Sequence, residues 1–183
     1  MMILETEHII LVDEHDGAIG VGEKLITHLQ GKLHRAVSIF IFNSKGQLLL
    51  QQRAPSKYHS GGLWTNTCCG HPRPNELTLD AAKRRLWEEM GICCELTKAF
   101  EFTYKAPLDN QITEYEFDHV FIGQFEGSPN PNPEEASAWK WMAPEALEQD
   151  ILDHPQHYTV WFKMILHKVL QSSLESGRSL DFF

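Results

Sequence analysis

The segment Gly70-x5-Glu76-x7-Arg84-Arg85-Leu86-Trp87-Glu88-Glu89-Met90-Gly91-Ile92 contains the clearest helix signal in the chain. The spacing predicts a helix over Leu79–Met90: Thr78 can cap its first turn, Asp80 complements the dipole, and Gly91 sits where a left-handed terminator belongs. Leu79, Ala82, Leu86 and Met90 recur at spacings of three and four and form its apolar side. Four residues apart, Arg84 and Glu88 share a face, as do Arg85 and Glu89. An acid beside a basic residue can present Mg²⁺ and a cation together to a diphosphate, because Mg²⁺ is commonly shared between carboxylate and phosphate. Taken alone, the helix reads more simply as a surface element laced with two ion pairs.

Around this helix the chain is rich in strands. Glu7–Val12 reads as a first strand, and Arg35–Phe42 and Gln47–Arg53 as two more, joined by the turn residues Asn43-Ser44-Lys45-Gly46. Trp64–Gly70 reads as a short strand. Glu101–Lys105 and Thr113–Phe125 follow, linked by the turn-rich Pro107–Asn110, and Ser137–Met142 comes after a loop. Pro144 opens a short helix to about Leu152, and Thr159–Leu174 is a long amphipathic one. Strands in the middle with helices punctuating and ending the chain indicate an α+β fold, a mixed central β-sheet flanked by helices. At 183 residues, the span 1–183 is expected to be a single domain, against a prior of ~150 residues per domain.

With 16 basic against 25 acidic residues the net charge is −9. A nucleic-acid binder normally shows a basic face, so nucleic acid is not expected as a partner. No run approaches the ~18 apolar residues of a membrane span, so no membrane partner is expected either. Met1-Met2-Ile3-Leu4-Glu5-Thr6-Glu7 has acids where an export signal needs a basic start. The cysteines form two adjacent pairs, Cys68-Cys69 and Cys93-Cys94, neither with C-x-x-C spacing. A reducing, cytoplasmic location is expected, with a thiol free for chemistry. Oligomeric state stays open between monomer and homodimer.

Two further constellations could carry chemistry. In Thr65-Asn66-Thr67-Cys68-Cys69-Gly70-His71-Pro72, a thiol precedes a histidine by two residues; the pair could be nucleophile and base, metal ligands, or neither, since buried cysteine is usually a small hydrophobe. In Glu114-Tyr115-Glu116-Phe117, a strand would put both carboxylates on one face, costly inside the protein without a cation and unremarkable outside it. His28 and His34, flanking an expected turn over Leu29–Leu33, and His71 could join them. Three imidazoles with two carboxylates would suit Mn²⁺, Zn²⁺ or Mg²⁺.

The helix segment resembles the Nudix box, G-x5-E-x7-R-E-U-x-E-E-x-G-U, with Arg85 where that pattern has Glu. A cation there suggests a grip on phosphate rather than its cleavage. Together with Leu33-His34-Arg35-Ala36-Val37-Ser38, the Cys69-Gly70-His71-Pro72 run and Glu114-Tyr115-Glu116, the order of motifs is similar to that of the type I isopentenyl-diphosphate Δ-isomerases, from about Glu5 to the helix containing Trp161. The resemblance implies a Nudix-like fold and a set of roles. Cys69 is the catalytic thiol and Cys68 a spectator. Glu116 is the opposing acid/base, hydrogen-bonded by Tyr104. His28, His34, His71, Glu114 and Glu116 hold an inner divalent metal. Lys24, Arg53, Lys57 and Arg85 grip the diphosphate, Glu89 binds a substrate Mg²⁺, and Trp161 lies over the hydrocarbon. The implied activity is the interconversion of isopentenyl and dimethylallyl diphosphates in isoprenoid biosynthesis, on a small-molecule substrate. A Nudix pyrophosphohydrolase and a non-catalytic Nudix-fold binding module are the rival readings.

Overall fold

A computed structural model describes residues 7–178, with side chains as far as residue 173. The acidic opening Met1–Thr6 and the end of the expected 1–183 domain lie outside the described residues. In chain order the elements are β1 (His8–Val12), β2 (Ala18–Glu23), α1 (Lys24–Gln30), β3 (His34–Phe42), β4 (Leu48–Arg53), β5 (Trp64–Thr65), β6 (Cys68–Gly70), α2 (Thr78–Met90), β7 (Leu96–Pro107), β8 (Thr113–Gln124), β9 (Ala136–Met142), α3 (Pro144–Asp153) and α4 (Val160–Arg178).

The spine is β3, buried along nearly its whole length. Such a strand must be covered on both faces, which explains its near-continuous apolar run. It runs parallel to β8, from His34 opposite Glu116 to Phe42 opposite Gln124. It is antiparallel to β6, with Val37, Ser38 and Ile39 opposite Gly70, Cys69 and Cys68. Antiparallel β7 flanks β8, and β9 and β5 flank β4. The sheet is therefore mixed, as expected.

Residue parity on β3 divides the interior in two. The Phe40 face, with Val120 and Tyr104, packs against Trp161, Phe162 and Ile165 of α4. The opposite face, Val37, Ile39 and Ile41, packs against Ala82, Leu86 and Met90 of α2. The adjacent cysteines separate accordingly. Cys68 lies in the α2 cluster, and Cys69 packs from the α4 side.

Several expectations are corrected. The helix begins at Thr78 itself, after Leu77, with no side-chain cap bond, so Thr78 is not its cap. Leu79 is partly exposed, and Ala81 takes its place among the buried positions. Gly91 is left-handed as expected. The Leu29–Leu33 turn is shorter than read, because α1 runs to Gln30 before left-handed Gly31, and His28 is helical. Helix α1 and strand β2 left little signal. In β2, Gly20 and Gly22 dilute strand propensity, and its first four residues are solvent-exposed. Trp64–Gly70 is two short strands broken at Asn66 and Thr67, whose side chains bond backbone carbonyls of Ile39, Cys68 and Leu49.

Leu86 is 1% exposed in the α2 layer. Its replacement by alanine should cost about 2–5 kcal/mol in urea denaturation, whereas a loss below about 1 kcal/mol would contradict the packing described.

Candidate functional site

Helix α1 turns Lys24 and His28, four residues apart, toward the interior while Leu25, Ile26 and Leu29 face outward. His28 donates from Nδ1 to the carbonyl of Lys24 at 2.6 Å, and His34 from Nδ1 to that of Lys32 at 2.9 Å. A carbonyl can only accept, so these bonds fix the proton on Nδ1 and aim each Nε2 lone pair inward. His28 Nε2 meets Glu114 Oε2 at 3.4 Å and His34 Nε2 meets Glu116 Oε1 at 3.5 Å. His71 Nε2 lies 3.0 Å from Glu116 Oε1. His28 Nε2, His34 Nε2 and Glu114 Oε2 are buried without a geometrically sound hydrogen bond. Lone pairs facing carboxylate oxygens repel unless positive charge lies between them.

The carboxylates sharpen that demand. Glu114, Glu116 and Asp118 alternate along β8 on one face and are all buried. Burial and the neighbouring Glu116 charge push Glu114 up to about 7. Burial also raises Glu116, but His34 and His71 outweigh it and hold this carboxyl well below the usual range. Asp118 is pushed well up by burial and by Glu116, and accepts from Ser38 Oγ at 2.7 Å. Burial lowers His28, yet the close approach and charge of Glu114 overcome it and raise its basicity. One ligand atom each from His28, His34, His71 and Glu116 falls within a mutual 4.8 Å. This buried nitrogen and oxygen set suits a divalent metal. Glu114 stands beside this group through His28.

Tyr104 donates its hydroxyl to Glu116 Oε2 at 2.7 Å, as expected for a residue fixing that carboxylate. Cys69 lies on the same sheet face, opposite Ser38. Its Sγ is 3.2 Å from Asn66 Oδ1 and 3.6 Å from Ser38 Oγ. Asn66 donates Nδ2 to two backbone carbonyls, leaving Oδ1 to receive the thiol proton. Burial, then the Asp118 carboxyl, pushes the Cys69 thiol well up. Cys69 is thus a protonated thiol, while Cys68 is sealed in the α2 layer.

The four expected cations converge on one cavity, and each meets a polar or aromatic neighbour. Lys24 pairs with Glu7 at 2.8 Å. Arg85 pairs with Glu88 at 2.7 Å, with Glu89, and with Glu135 at 3.3 Å. Lys57 pairs with Glu135. The Arg53 guanidinium lies 5.4 Å from the centre of the Trp161 ring. Glu89 accepts from Gln51 at 2.7 Å through its other oxygen. Arg85 crosses over Gly70, where a Cβ would lie 2.6 Å from Arg85 Cγ, so only glycine leaves room. Both predicted helix pairs form, but Arg84 turns away from the cavity to grip Glu76 through two bonds at 2.7 and 2.8 Å.

The cavity is lined by all four cations with Cys69, His71, Glu89, Tyr104, Glu114, Glu116 and Trp161; His28 and His34 sit fully buried behind it. Glu7, Tyr58 and His59 also line the cavity and escaped the sequence reading, as did Glu135, which pairs with Lys57 and Arg85. Glu7 and Glu135 lie far in sequence from the bases they neutralise. Tyr58 and His59 follow Lys57 in a loop with no periodicity to give them a direction.

A family model for the NUDIX domain matches residues 32–162. The chain is 52% identical over 175 residues to isopentenyl-diphosphate Delta-isomerase 2 of Aromatoleum aromaticum, covering 96% of this chain and 90% of that one. It is also 52% identical over 169 residues to the isopentenyl-diphosphate Delta-isomerase of Serratia proteamaculans, covering 92% and 94%. Among solved structures, DR0079 from Deinococcus radiodurans superposes with a TM-score of 0.69 at 25% identity, over 80% of this chain and 90% of that one. The MutT protein from Methanosarcina mazei Go1 superposes with a TM-score of 0.62 at 20% identity, over 79% and 95%, a likeness of fold. Sheet, variant box and relatives agree: the chain belongs to the Nudix family, in its isopentenyl-diphosphate Delta-isomerase branch.

Proposed function

We propose that the protein interconverts isopentenyl and dimethylallyl diphosphates, with Cys69 and Glu116 as its two proton-carrying groups. The observation that supports this most is a single cavity in which a half-buried, protonated thiol and a buried, ionised carboxylate meet a cluster of phosphate-gripping cations.

The reaction moves a double bond along a five-carbon chain. Protonating the unactivated alkene gives a tertiary carbocation at C3, and losing a C2 proton completes the shift. One group must give a proton and another take one, which a thiol and a carboxylate in one chamber can do. Water would trap the cation, so the chamber must be dry. Trp161, 5% exposed, offers a π system that can stabilise the cation by about 2 kcal/mol once desolvated. Asn66 and Ser38 hold the thiol, and Tyr104 holds the carboxylate. Lys24, Arg53, Lys57 and Arg85, which line the same cavity, anchor the diphosphate. His28, His34, His71, Glu114 and Glu116 would hold an inner divalent ion (Mn²⁺, Zn²⁺ or Mg²⁺) and Glu89 a Mg²⁺, which would supply positive charge to tune Glu116 and to neutralise phosphate.

The enzyme acts on this small molecule in the cytoplasm, as a monomer or homodimer, without nucleic acid or membrane as partner. Among the described residues no helix is long and apolar enough to cross a membrane. Pyrophosphohydrolysis is the weaker reading. Arg85 replaces an acid of the hydrolase box with a cation, so α2 offers a metal one carboxylate fewer. A non-catalytic module would have no use for a thiol in the same cavity as the carboxylates.

Incubation with isopentenyl diphosphate and Mg²⁺ in deuterated water should yield deuterium-labelled dimethylallyl diphosphate; release of phosphate or monophosphate without isomer would establish hydrolysis instead. Cys69→Ala should lower turnover by about 10²–10⁴-fold while diphosphate binding persists. Cys68→Ala should leave turnover near wild type, and equal losses in the two variants would refute the assignment. Gly70→Ala should displace Arg85 and raise KM more than it lowers kcat; an unchanged KM would show that Arg85 does not hold substrate.

A further inference from the structure

Asp118 has no role in the readings above, yet it is only 1% exposed and is the third carboxyl on the buried face of β8. It stands outside the group of ligand atoms that His28, His34, His71 and Glu116 bring together. A buried carboxyl is costly unless hydrogen bonds compensate it. Its Oδ2 accepts from Ser38 Oγ at 2.7 Å, and its Oδ1 has no hydrogen bond. Ser38 Oγ is in turn hydrogen-bonded to Cys69 Sγ at 3.6 Å. Cys69, Ser38 and Asp118 stand on β6, β3 and β8, and β3 pairs with both of the others. One chain of bonds therefore crosses three strands, from the thiol to the strand that carries Glu116.

We propose that Asp118 is a positioning residue for Cys69: its bond fixes the Ser38 hydroxyl in the rotamer that holds the thiol sulfur. This rests on Cys69 being a proton carrier, as read above. A serine side chain has three staggered rotamers, and a short bond between two buried groups selects one of them. With the hydroxyl turned elsewhere, Sγ would keep Asn66 Oδ1 at 3.2 Å and lose its second anchor. Placement matters to a reacting group, because a shift of about 1 Å can cost about 10²-fold in rate. Glu116 precedes Asp118 by two residues on the same face of β8. That strand thus sets both proton carriers, Glu116 directly and Cys69 through Asp118 and Ser38.

Asp118 also feels the Glu116 charge, so the test separates an effect passed through Ser38 from one on Glu116 itself. Asp118→Leu removes the bond to Ser38, as does Asp118→Ala where leucine prevents folding. Asp118→Asn keeps an oxygen that can accept from Ser38, and Ser38→Ala removes the middle of the chain. For each variant kcat and KM for isopentenyl diphosphate are measured at saturating Mg²⁺, with the melting temperature in parallel. Asp118→Leu and Ser38→Ala should each lower kcat by about 10–100-fold at a nearly unchanged KM, and Asp118→Asn should keep most of the rate. Adding Asp118→Leu to Ser38→Ala should bring no further loss, because residues acting through one contact are not additive. Wild-type kcat in Ser38→Ala, equal losses in Asp118→Asn and Asp118→Leu, or a further loss in the double variant would each overturn the proposal and leave the activity standing. A wild-type protein that forms no dimethylallyl diphosphate would overturn the activity itself.

Discussion

Lone pairs that point at one another decide the interior of this molecule. The Nε2 atoms of His28 and His34 face the buried carboxylates Glu114 and Glu116, and each ring's proton is committed to a backbone carbonyl on the far side. Buried like charges and opposed acceptors of this kind are costly unless a cation joins them. The rest of the site follows from that requirement. Tyr104 ties down the second oxygen of Glu116, and the raised basicity of His28 expresses the same need for positive charge.

The sheet then divides the work. Because side chains alternate, β3 sends Val37 and Ile39 into a dry layer against α2 and turns His34 and Ser38 toward the chemistry. One-residue steps in the chain thus become opposite faces of the sheet. That is why Cys68 and Cys69, chemically identical and adjacent, differ in what they can do. Gly70 provides the passage between the two sides, letting Arg85 of α2 reach across the end of β6.

Much of this was legible in the sequence wherever periodicity or motif order carried it. The helix ion pairs, the one-sided carboxylates of β8 and the mixed sheet all follow from spacing, whereas the separate roles of Cys68 and Cys69 came from the resemblance alone. What spacing could not supply was convergence. Residues 28, 34, 71 and 116 meet only because β8 lies parallel to β3 in a register that sets Glu116 beside His34. Helix α1 and strand β2 were hidden for a local reason: short elements with glycines and exposed apolar side chains lose both propensity and amphipathic contrast. His59 and Glu135 were hidden for another. Loop residues have no period, and their meaning comes wholly from distant partners.

The central claim is that the imidazoles and carboxylates hold a cation and leave the thiol free across the cavity. X-ray absorption at the zinc edge of the protein loaded with one equivalent of Zn²⁺ tests it most directly. The account predicts a first shell of nitrogen and oxygen alone, at about 2.0–2.2 Å. A sulfur scatterer at about 2.3 Å would make Cys69 a ligand rather than a free proton carrier and would contradict it.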